Sequence, residues 1–296
     1  MMQRLLDPAV LAGISSLDLL AKTVVDGFVA GLHRSPDFGF SQEFAEYRAY
    51  TPGDDLRHVD WNLFARTERC YLKRYRGETN SQLTVLLDAS NSMQYTSGPP
   101  PKMDYARFVA AALFYLAIQN QRDAAGLIVF DHEVREYIRP SRRPGQLARL
   151  FAGLEKATPR AQTNFAKPLQ HFRNSLHRRG IAVLISDFYE DPEIIIREVA
   201  PLRFRGNEVI LFHILDPQEI QPIMKGPAIL VDLETEQRIE VVPEYTKTRY
   251  RARIDAHFEQ LRTRARAAGM DYQLLVTDRP LDFALREYLA LRQAEN

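Results

Sequence analysis

From residue 81 onward the chain alternates short apolar runs with longer stretches of helical periodicity. The runs are Leu83 to Leu87, Ala125 to Phe130, Ile181 to Ile185, Asn207 to Leu215 and Met270 to Thr277. They are brief, rich in branched residues and bounded by polar ones, which is the pattern of strands buried on both faces. Between them, Lys102 to Gln121 is apolar nearly all round its middle and predicts a buried helix. Gly145 to Ala157 is amphipathic, with Leu147, Leu150, Phe151 and Leu154 on one face. A further helix is expected after Gln162-Thr163-Asn164, stopping around Arg178-Arg179-Gly180, and another from Pro192. Thr246 to Ala268 and Leu281 to Leu291 complete the helical set. Val134 to Ile138 follows the turn at Asp131-His132 and reads as a hairpin partner of the strand before it. Strands alternating with helices over this length predict an α/β fold with a doubly wound, mainly parallel sheet covered on both faces. Ala228 to Asp232 and Arg238 to Val242, joined through Glu234-Thr235-Glu236, predict a β-hairpin inserted at about 226–244.

The first eighty residues have a different character. Leu5 to Leu32 is mostly helical by spacing, with Leu17, Leu20, Val24, Phe28 and Leu32 close to one face. Loop markers follow in His33 to Ser41. Glu43 to Tyr50 and Tyr71 to Tyr75 carry the aromatic residues and alternation of strands, and Thr51-Pro52-Gly53-Asp54-Asp55 is a turn in which Pro and Gly set the backbone. We therefore expect residues 1–80 to form a helix plus a β-rich subdomain and 81–296 the α/β domain. The Arg, Asp and Glu residues crowded between Arg34 and Arg66 are expected to fold that subdomain through ion pairs and caps. Asp54, Asp55 and Asp60 make a second acidic cluster there.

Composition narrows the function. The chain has 296 residues, 45% hydrophobic and 26% charged, as an ordinary globular protein does. A formal net charge of +1 provides no global basic field, so nucleic acid is not the expected partner. The one cysteine, Cys70, permits no intrachain disulfide, and it is expected as a small buried residue in a reducing compartment. No signal-peptide core and no run of ~18–20 apolar residues appear, so a cytoplasmic location is expected.

The chemistry concentrates where apolar runs end in oxygen. Leu83 to Met93 passes from Leu-Thr-Val-Leu-Leu into Asp88-Ala89-Ser90-Asn91-Ser92, and Ile181 to Ile185 passes into Ser186-Asp187. Two strands ending in acids can be neighbours at the switch point of a doubly wound sheet, where such folds bind ligands. Thr163, in the loop before the intervening helix, can reach the same crevice. Asp88, Ser90, Ser92, Thr163 and Asp187 would then form an all-oxygen set suited to a hard cation, Mg²⁺ or Mn²⁺. Hydroxyl ligands are neutral, so the metal would keep much of its charge, and a position left to water could be taken by a carboxylate from another molecule. That favours holding a protein partner over catalysis. The plain competing reading is that Ser90, Ser92 and Thr163 cap helices. The alternative function is a metal-dependent hydrolase, a phosphatase or nuclease, using Asp88 and Asp187 with or without Asp54, Asp55 and Asp60.

Asp88-x-Ser90-x-Ser92, followed by a lone Thr163 and the strand-end Asp187, resembles the metal-ion-dependent adhesion site of von Willebrand factor A domains, whose fold is of this α/β, Rossmann-like kind. That resemblance implies Ser90, Ser92 and Thr163 as direct Mg²⁺ ligands, with Asp88 and Asp187 acting largely through water. The segments His33-Arg34-Ser35-Pro36, Glu43 to Arg48, Tyr50 to Arg57, Asp60-Trp61, Ala65-Arg66-Thr67 and Leu72 to Tyr75 are similar to the signature of a bacterial family catalogued as domain of unknown function 58. The similarity continues through the adhesion-type site, Val231 to Thr235, and Thr277 to Arg292. Relatives are often encoded beside MoxR-type AAA+ ATPases, which implies a role beside such an ATPase or its client, chaperone-like or in cofactor insertion. Many relatives carry membrane helices near the N-terminus; no such run occurs here.

Other chemistry is thin. The seven histidines show no zinc spacing, and His171 and His177 are six apart, off the i, i+4 arrangement. Neither a Gly-rich phosphate loop nor a Gly-x-Ser-x-Gly elbow occurs, so no catalytic motif is found. The basic stretch Thr246 to Ala268 carries Asp255 and Glu259 among its arginines and reads as a solvated face, with docking of an acidic partner surface as the other use. The sequence leaves the oligomeric state open.

Overall fold

The structure is a computed structural model. It describes residues 7–32, 46–49, 63–64, 66, 70–74, 82–175, 179–223, 226–231, 233, 237–242 and 249–294. The chain divides into two compact units, one of residues 1–28 with 81–296 and one of residues 29–80.

The chain opens with helices α1 (Pro8–Leu11) and α2 (Leu17–Leu32), which belong to the larger unit as far as Phe28. Asp7 caps α1 by accepting from the Ala9 N–H. The expected face of α2 is the buried one, through Leu20, Val24 and Phe28, with Ala21 and Val25 beside them. The smaller unit contains β1 (Glu46–Ala49) and β2 (Tyr71–Arg74), paired antiparallel from Glu46 opposite Arg74 to Ala49 opposite Tyr71. Both strands fall inside stretches expected to be extended. The turn at residues 51–55, the cluster Asp54, Asp55 and Asp60, Trp61 and the loop 33–41 lie outside the described residues.

The α/β unit is built on β3 (Gln82–Asp88), β4 (Ala124–Phe130), β5 (Val134–Ser141), β6 (Ile181–Ser186), β7 (Glu208–Leu215) and β10 (Asp271–Val276), in the order β10-β7-β6-β3-β4-β5. All neighbours are parallel except β5, which returns antiparallel on β4 as the turn at Asp131-His132 predicts. The central strands are buried along almost their whole length, which is why they read as unbroken apolar runs. The edge strand β5 keeps exposed positions among its buried ones.

Helices α3 (Lys102–Tyr115), α4 (Gln146–Lys156), α5 (Ala166–Ser175), α6 (Pro192–Phe204), α8 (Arg251–Ala267) and α9 (Asp282–Ala294) flank the sheet, and a single turn, α7 (Pro217–Ile220), follows β7. On one face Leu86, Ile128, Leu184 and Leu211 pack with Phe165, Leu169 and Phe172 of α5 and its approach, Ile195 and Val199 of α6, and Leu261 and Ala265 of α8. Alternation along each strand sends Val85, Leu127, Val183 and Ile210 to the other face, where α3 packs with α4 and α9. The doubly wound, mainly parallel α/β sheet is therefore what the chain adopts. The inserted hairpin is present as β8 (Ala228–Val231) and β9 (Arg238–Val241), antiparallel, with its tip at 234–236 outside the described residues.

Some boundaries differ from the sequence expectation. The helix beginning at Lys102 is α-helical to Tyr115 and then widens into a π turn over Leu116–Asn120. The described part of α5 ends at Ser175, and residues 176–178, including His177, lie outside the described set. Gly180, expected as a helix stop, is required for another reason. A β-carbon there would stand 2.1 Å from the Gln82 carbonyl oxygen, so only glycine lets the start of β6 approach β3. This contact sets the pairing that continues to Leu87 opposite Ile185 and brings the two strand ends together. Gly180→Ala should therefore destabilise the fold by about 3 kcal/mol, read as a lowered midpoint in urea unfolding; an unchanged midpoint would show that the strand start gives way cheaply.

Candidate metal centre

The chain reverses direction across the sheet between β3 and β6. From β3 it moves to β4 and β5 on one side, then returns to β6 and continues to β7 and β10 on the other. The crevice at the carboxyl ends of β3 and β6 is thus the topological switch point. Asp88 ends β3 and Asp187 follows β6, both buried.

Three loops close on this crevice. The segment after β3 runs through Ser90 into a 3₁₀ turn, Asn91–Gln94. It is stitched to the segment before α5 by Arg160 N–H to the Ala89 carbonyl at 2.7 Å and Asn91 N–H to the Ala161 carbonyl at 2.9 Å. Those two bonds carry Thr163 to the site. The segment after β6 is fixed by Phe188, whose N–H donates to Ser186 Oγ at 3.1 Å and whose carbonyl bonds His257 Nε2 at 2.9 Å. Ala161 and Phe188, each beside a site residue, have φ of +53° and +45°. Non-glycine residues adopt this conformation at a cost of about 1 kcal/mol or more, and such strain gathers at functional sites.

Four of the five expected residues share one hydrogen-bond network. Asp88 Oδ1 accepts the Ser90 N–H at 2.9 Å, and Asp88 Oδ2 accepts the Ser186 hydroxyl at 2.6 Å and the Thr163 hydroxyl at 3.3 Å. Ser90 Oγ and Ser92 Oγ lie 3.0 Å apart. The capping alternative is not met at Ser90. Ser90 stands at the start of the 3₁₀ turn, yet its side chain makes no capping bond. At α5 it is Asn164, not Thr163, whose side chain accepts the Ala166 N–H.

The donor set accommodates a hard cation. The 3.0 Å between the two serine oxygens equals the edge of an octahedron with bonds of ~2.1 Å, the length Mg²⁺ requires. Among the described residues no three His, Cys, Asp or Glu side chains gather as a metal cage. The fit is therefore to a hydroxyl-rich site with two carboxylates.

Asp187 is engaged differently from the rest. Its Oδ2 accepts from Lys102 Nζ at 2.7 Å, and the same ammonium donates to Glu219 Oε1 at 2.7 Å. Lys102 is the first residue of α3 and is wholly buried, with its ammonium 5.1 Å from the Tyr189 ring centre and 5.9 Å from that of Tyr95. Burial acts to strip its proton, but Asp187 and Glu219 outweigh burial and hold its pKa above the ordinary lysine value. Glu219 in turn belongs to a capping box: Asp216 caps α7, and Glu219 Oε2 accepts the Asp216 N–H at 2.8 Å. Asp216 also accepts from Ser97 N–H at 2.8 Å.

Lys102, Ser186, Glu219 and Asp216 were not singled out from the sequence. Asp216-Pro217-Gln218-Glu219 carries a readable capping signature. A lone cation in the first turn of an apolar helix, against the helix dipole, was the available sign of Lys102. His213 is buried among Phe188, Phe258 and Tyr272, with Nδ1 2.8 Å from the Tyr272 hydroxyl. The arginines of α8 are in part ion-paired, Arg251 with Asp255, Arg262 with Glu259 and Arg264 with Glu193, as a solvated face would be. No helix among the described residues is long and apolar enough to cross a membrane.

The electrostatic state of Asp88 follows from this geometry. Burial, with the nearby charge of Asp187, pushes its carboxyl up from 3.8 to about 7. Since the folded value exceeds the unfolded one, the folded state binds the extra proton. The metal-free protein then loses stability as pH rises from about 4 through about 7, by an amount on the order of a few kcal/mol. Asp88→Asn, which mimics the protonated acid, should lack this term. In chelator it should be more stable than the wild type at pH 8 and similar at pH 4, and Mg²⁺ should raise the melting temperature of the wild type alone. Parallel pH profiles for the two proteins would contradict the assignment.

A family model described as "Protein of unknown function DUF58" matches residues 46–264. An uncharacterized protein of Mycobacterium tuberculosis is 28% identical over 233 residues, covering 77% of this chain and 72% of the relative. The conserved hypothetical protein BatB from Bacteroides thetaiotaomicron superposes with a TM-score of 0.50 at 13% identity, over 73% of this chain and 100% of that one. At that identity the likeness is one of fold. A von Willebrand factor type A structure from Catenulispora acidiphila matches with a TM-score of 0.43 and 13% identity, over 72% of this chain and 42% of its own.

Proposed function

This chain belongs to the DUF58 family, and we propose that it is a protein-interaction module that grips an acidic residue of its partner through a bound Mg²⁺ or Mn²⁺. Ser90, Ser92 and Thr163 would ligate the ion through neutral hydroxyls, with Asp88 and Asp187 in support. The bound ion supplies a Lewis-acidic position that an external carboxylate can fill. The observation that carries this reading is the pair of buried serine hydroxyls 3.0 Å apart at the end of β3, neither engaged in capping the turn that Ser90 begins. The two hydroxyls are turned to each other beside the buried Asp88 carboxylate at the switch point, an arrangement that supports a ligand taken there.

The hydroxyl-rich set also weighs against a hydrolase. Metal hydrolases clamp their ions and their reacting oxygens with several carboxylates. Here Asp88 and Asp187 are the two in place among the described residues, and Asp187 is already engaged by Lys102. The partner that the family resemblance points to is a MoxR-type AAA+ ATPase or its client, in a chaperone-like or cofactor-insertion role and inside the cell.

The experiment is a pull-down from native lysate with the full chain, in Mg²⁺ or in chelator, using the wild type and a Ser90→Ala/Ser92→Ala variant. Partner recovery is expected for the wild type in Mg²⁺ and is expected to fall at least tenfold in the other three conditions. Equal recovery in all four would sink the reading. A generic phosphoester assay run beside it separates the hydrolase, which would turn over with Mg²⁺ or Mn²⁺ and lose activity in Asp88→Ala.

A further inference from the structure

Lys102 is the charged group of the crevice that the metal reading leaves without a task. Its ammonium is wholly buried at the first residue of α3, 2.7 Å from Asp187 and 2.7 Å from Glu219, under the faces of Tyr189 and Tyr95. A lysine here has three unfavourable conditions to overcome: desolvation, a long flexible side chain to immobilise, and the positive end of its own helix. A structural ion pair on the surface, away from a helix start, would avoid the first and the third. Its position decides what it does. It takes Oδ2 of Asp187, the carboxylate that would otherwise lend most of its charge to a cation beside Asp88.

We propose that Lys102 sets the affinity of the metal centre by neutralising Asp187 from within the protein, so that the ion beside Asp88, Ser90, Ser92 and Thr163 is held weakly and depends on an external anion. The proposal rests on the metal reading above. Two consequences follow from simple electrostatics. A fixed unit positive charge sharing a carboxylate with the site repels an incoming divalent ion, and inside a protein such interactions are several times stronger than in water. The same ammonium withdraws the charge of Asp187 from the bound ion, which therefore stays electron-poor toward a partner's carboxylate. A site of this design is loaded efficiently when ion and acidic partner arrive together, and it retains the ion poorly alone.

Lys102→Met keeps the length and apolar stem of the side chain and removes the charge. It leaves Asp187 and Glu219 unpaired, so the site gains negative charge for the ion while the metal-free fold loses its internal counter-ion. In calorimetric titration of the full chain with Mg²⁺ alone, this variant should bind about tenfold tighter than the wild type or better. Its melting temperature in chelator should fall, and its gain on adding Mg²⁺ should exceed that of the wild type. Lys102→Arg, which keeps the charge, should stay within about threefold of the wild type. If Lys102→Met fails to fold in chelator, Lys102→Met/Glu219→Gln removes one of the freed acids and should still bind Mg²⁺ more tightly than the wild type. Equal or weaker binding by the charge-removed variants, with a wild type that does bind Mg²⁺, would overturn the role given to Lys102. Absence of Mg²⁺ binding in the wild type and every variant would instead remove the metal centre itself.

Discussion

The crevice at the ends of β3 and β6 is governed by a charge imbalance that the fold cannot relax. Asp88 feels the charge of Asp187, and Asp187 is held by the ammonium of Lys102. Water cannot screen them, because Asp88 and Lys102 have no exposed surface and Asp187 almost none. Separating the two aspartates would require breaking the ladder that pairs β3 with β6 from Leu83 to Leu87. The protein meets the excess charge with local means: the Ser90 N–H and the Ser186 and Thr163 hydroxyls on Asp88, and Lys102 on Asp187. Burial and the charge of Asp187 outweigh the donors on Asp88 and raise its pKa.

A residual negative charge at a ligand-binding position is ordinary for a cation site and costly for anything else. A core serving stability alone would replace buried acids with apolar side chains of similar volume, a change that is commonly neutral or stabilising. The backbone supports the same inference from an independent side. Ala161 and Phe188 hold left-handed conformations at the two loops that deliver Thr163 and Asp187. The Phe188 ring is fixed by a 5.6 Å stack on Phe165 and an edge contact with His213, and its carbonyl by His257. Packing on one face of the sheet thus sustains strain at the end of it. Rigidity of this kind suits a centre that must offer oxygens at fixed separations.

Much of this was legible in the chain. Strands buried on both faces have no polar side to display, so β3, β4, β6 and β7 stood out as unbroken apolar runs, and their alternation with helices fixed the class of fold. The acids at the ends of two of those runs, with Ser90, Ser92 and Thr163, named a candidate site, and four of these residues share one hydrogen-bond network. Helix ends were less legible, because the π turn at Leu116–Asn120 obeys the same apolar pattern as the helix it ends. Gly180 was read by its commonest role, whereas its real constraint, the approach of the Gln82 carbonyl, is a contact across 98 residues of sequence. Lys102 was hidden for the same reason. Its partners Asp187 and Glu219 lie 85 and 117 positions away, and the one local sign, a cation in the first turn of an apolar helix, does not point to them.

The same separation in sequence gives the centre its physical reach. Lys102 begins the helix that runs under the sheet, Asp187 ends a central strand, and Glu219 closes the capping box at the head of α7. Ser97, in the segment between the serine loop and α3, is bonded to Asp216 of that box. The loop bearing Ser90 and Ser92 is therefore tied at one end to the Thr163 segment through Asn91 and at the other to α7 through Ser97.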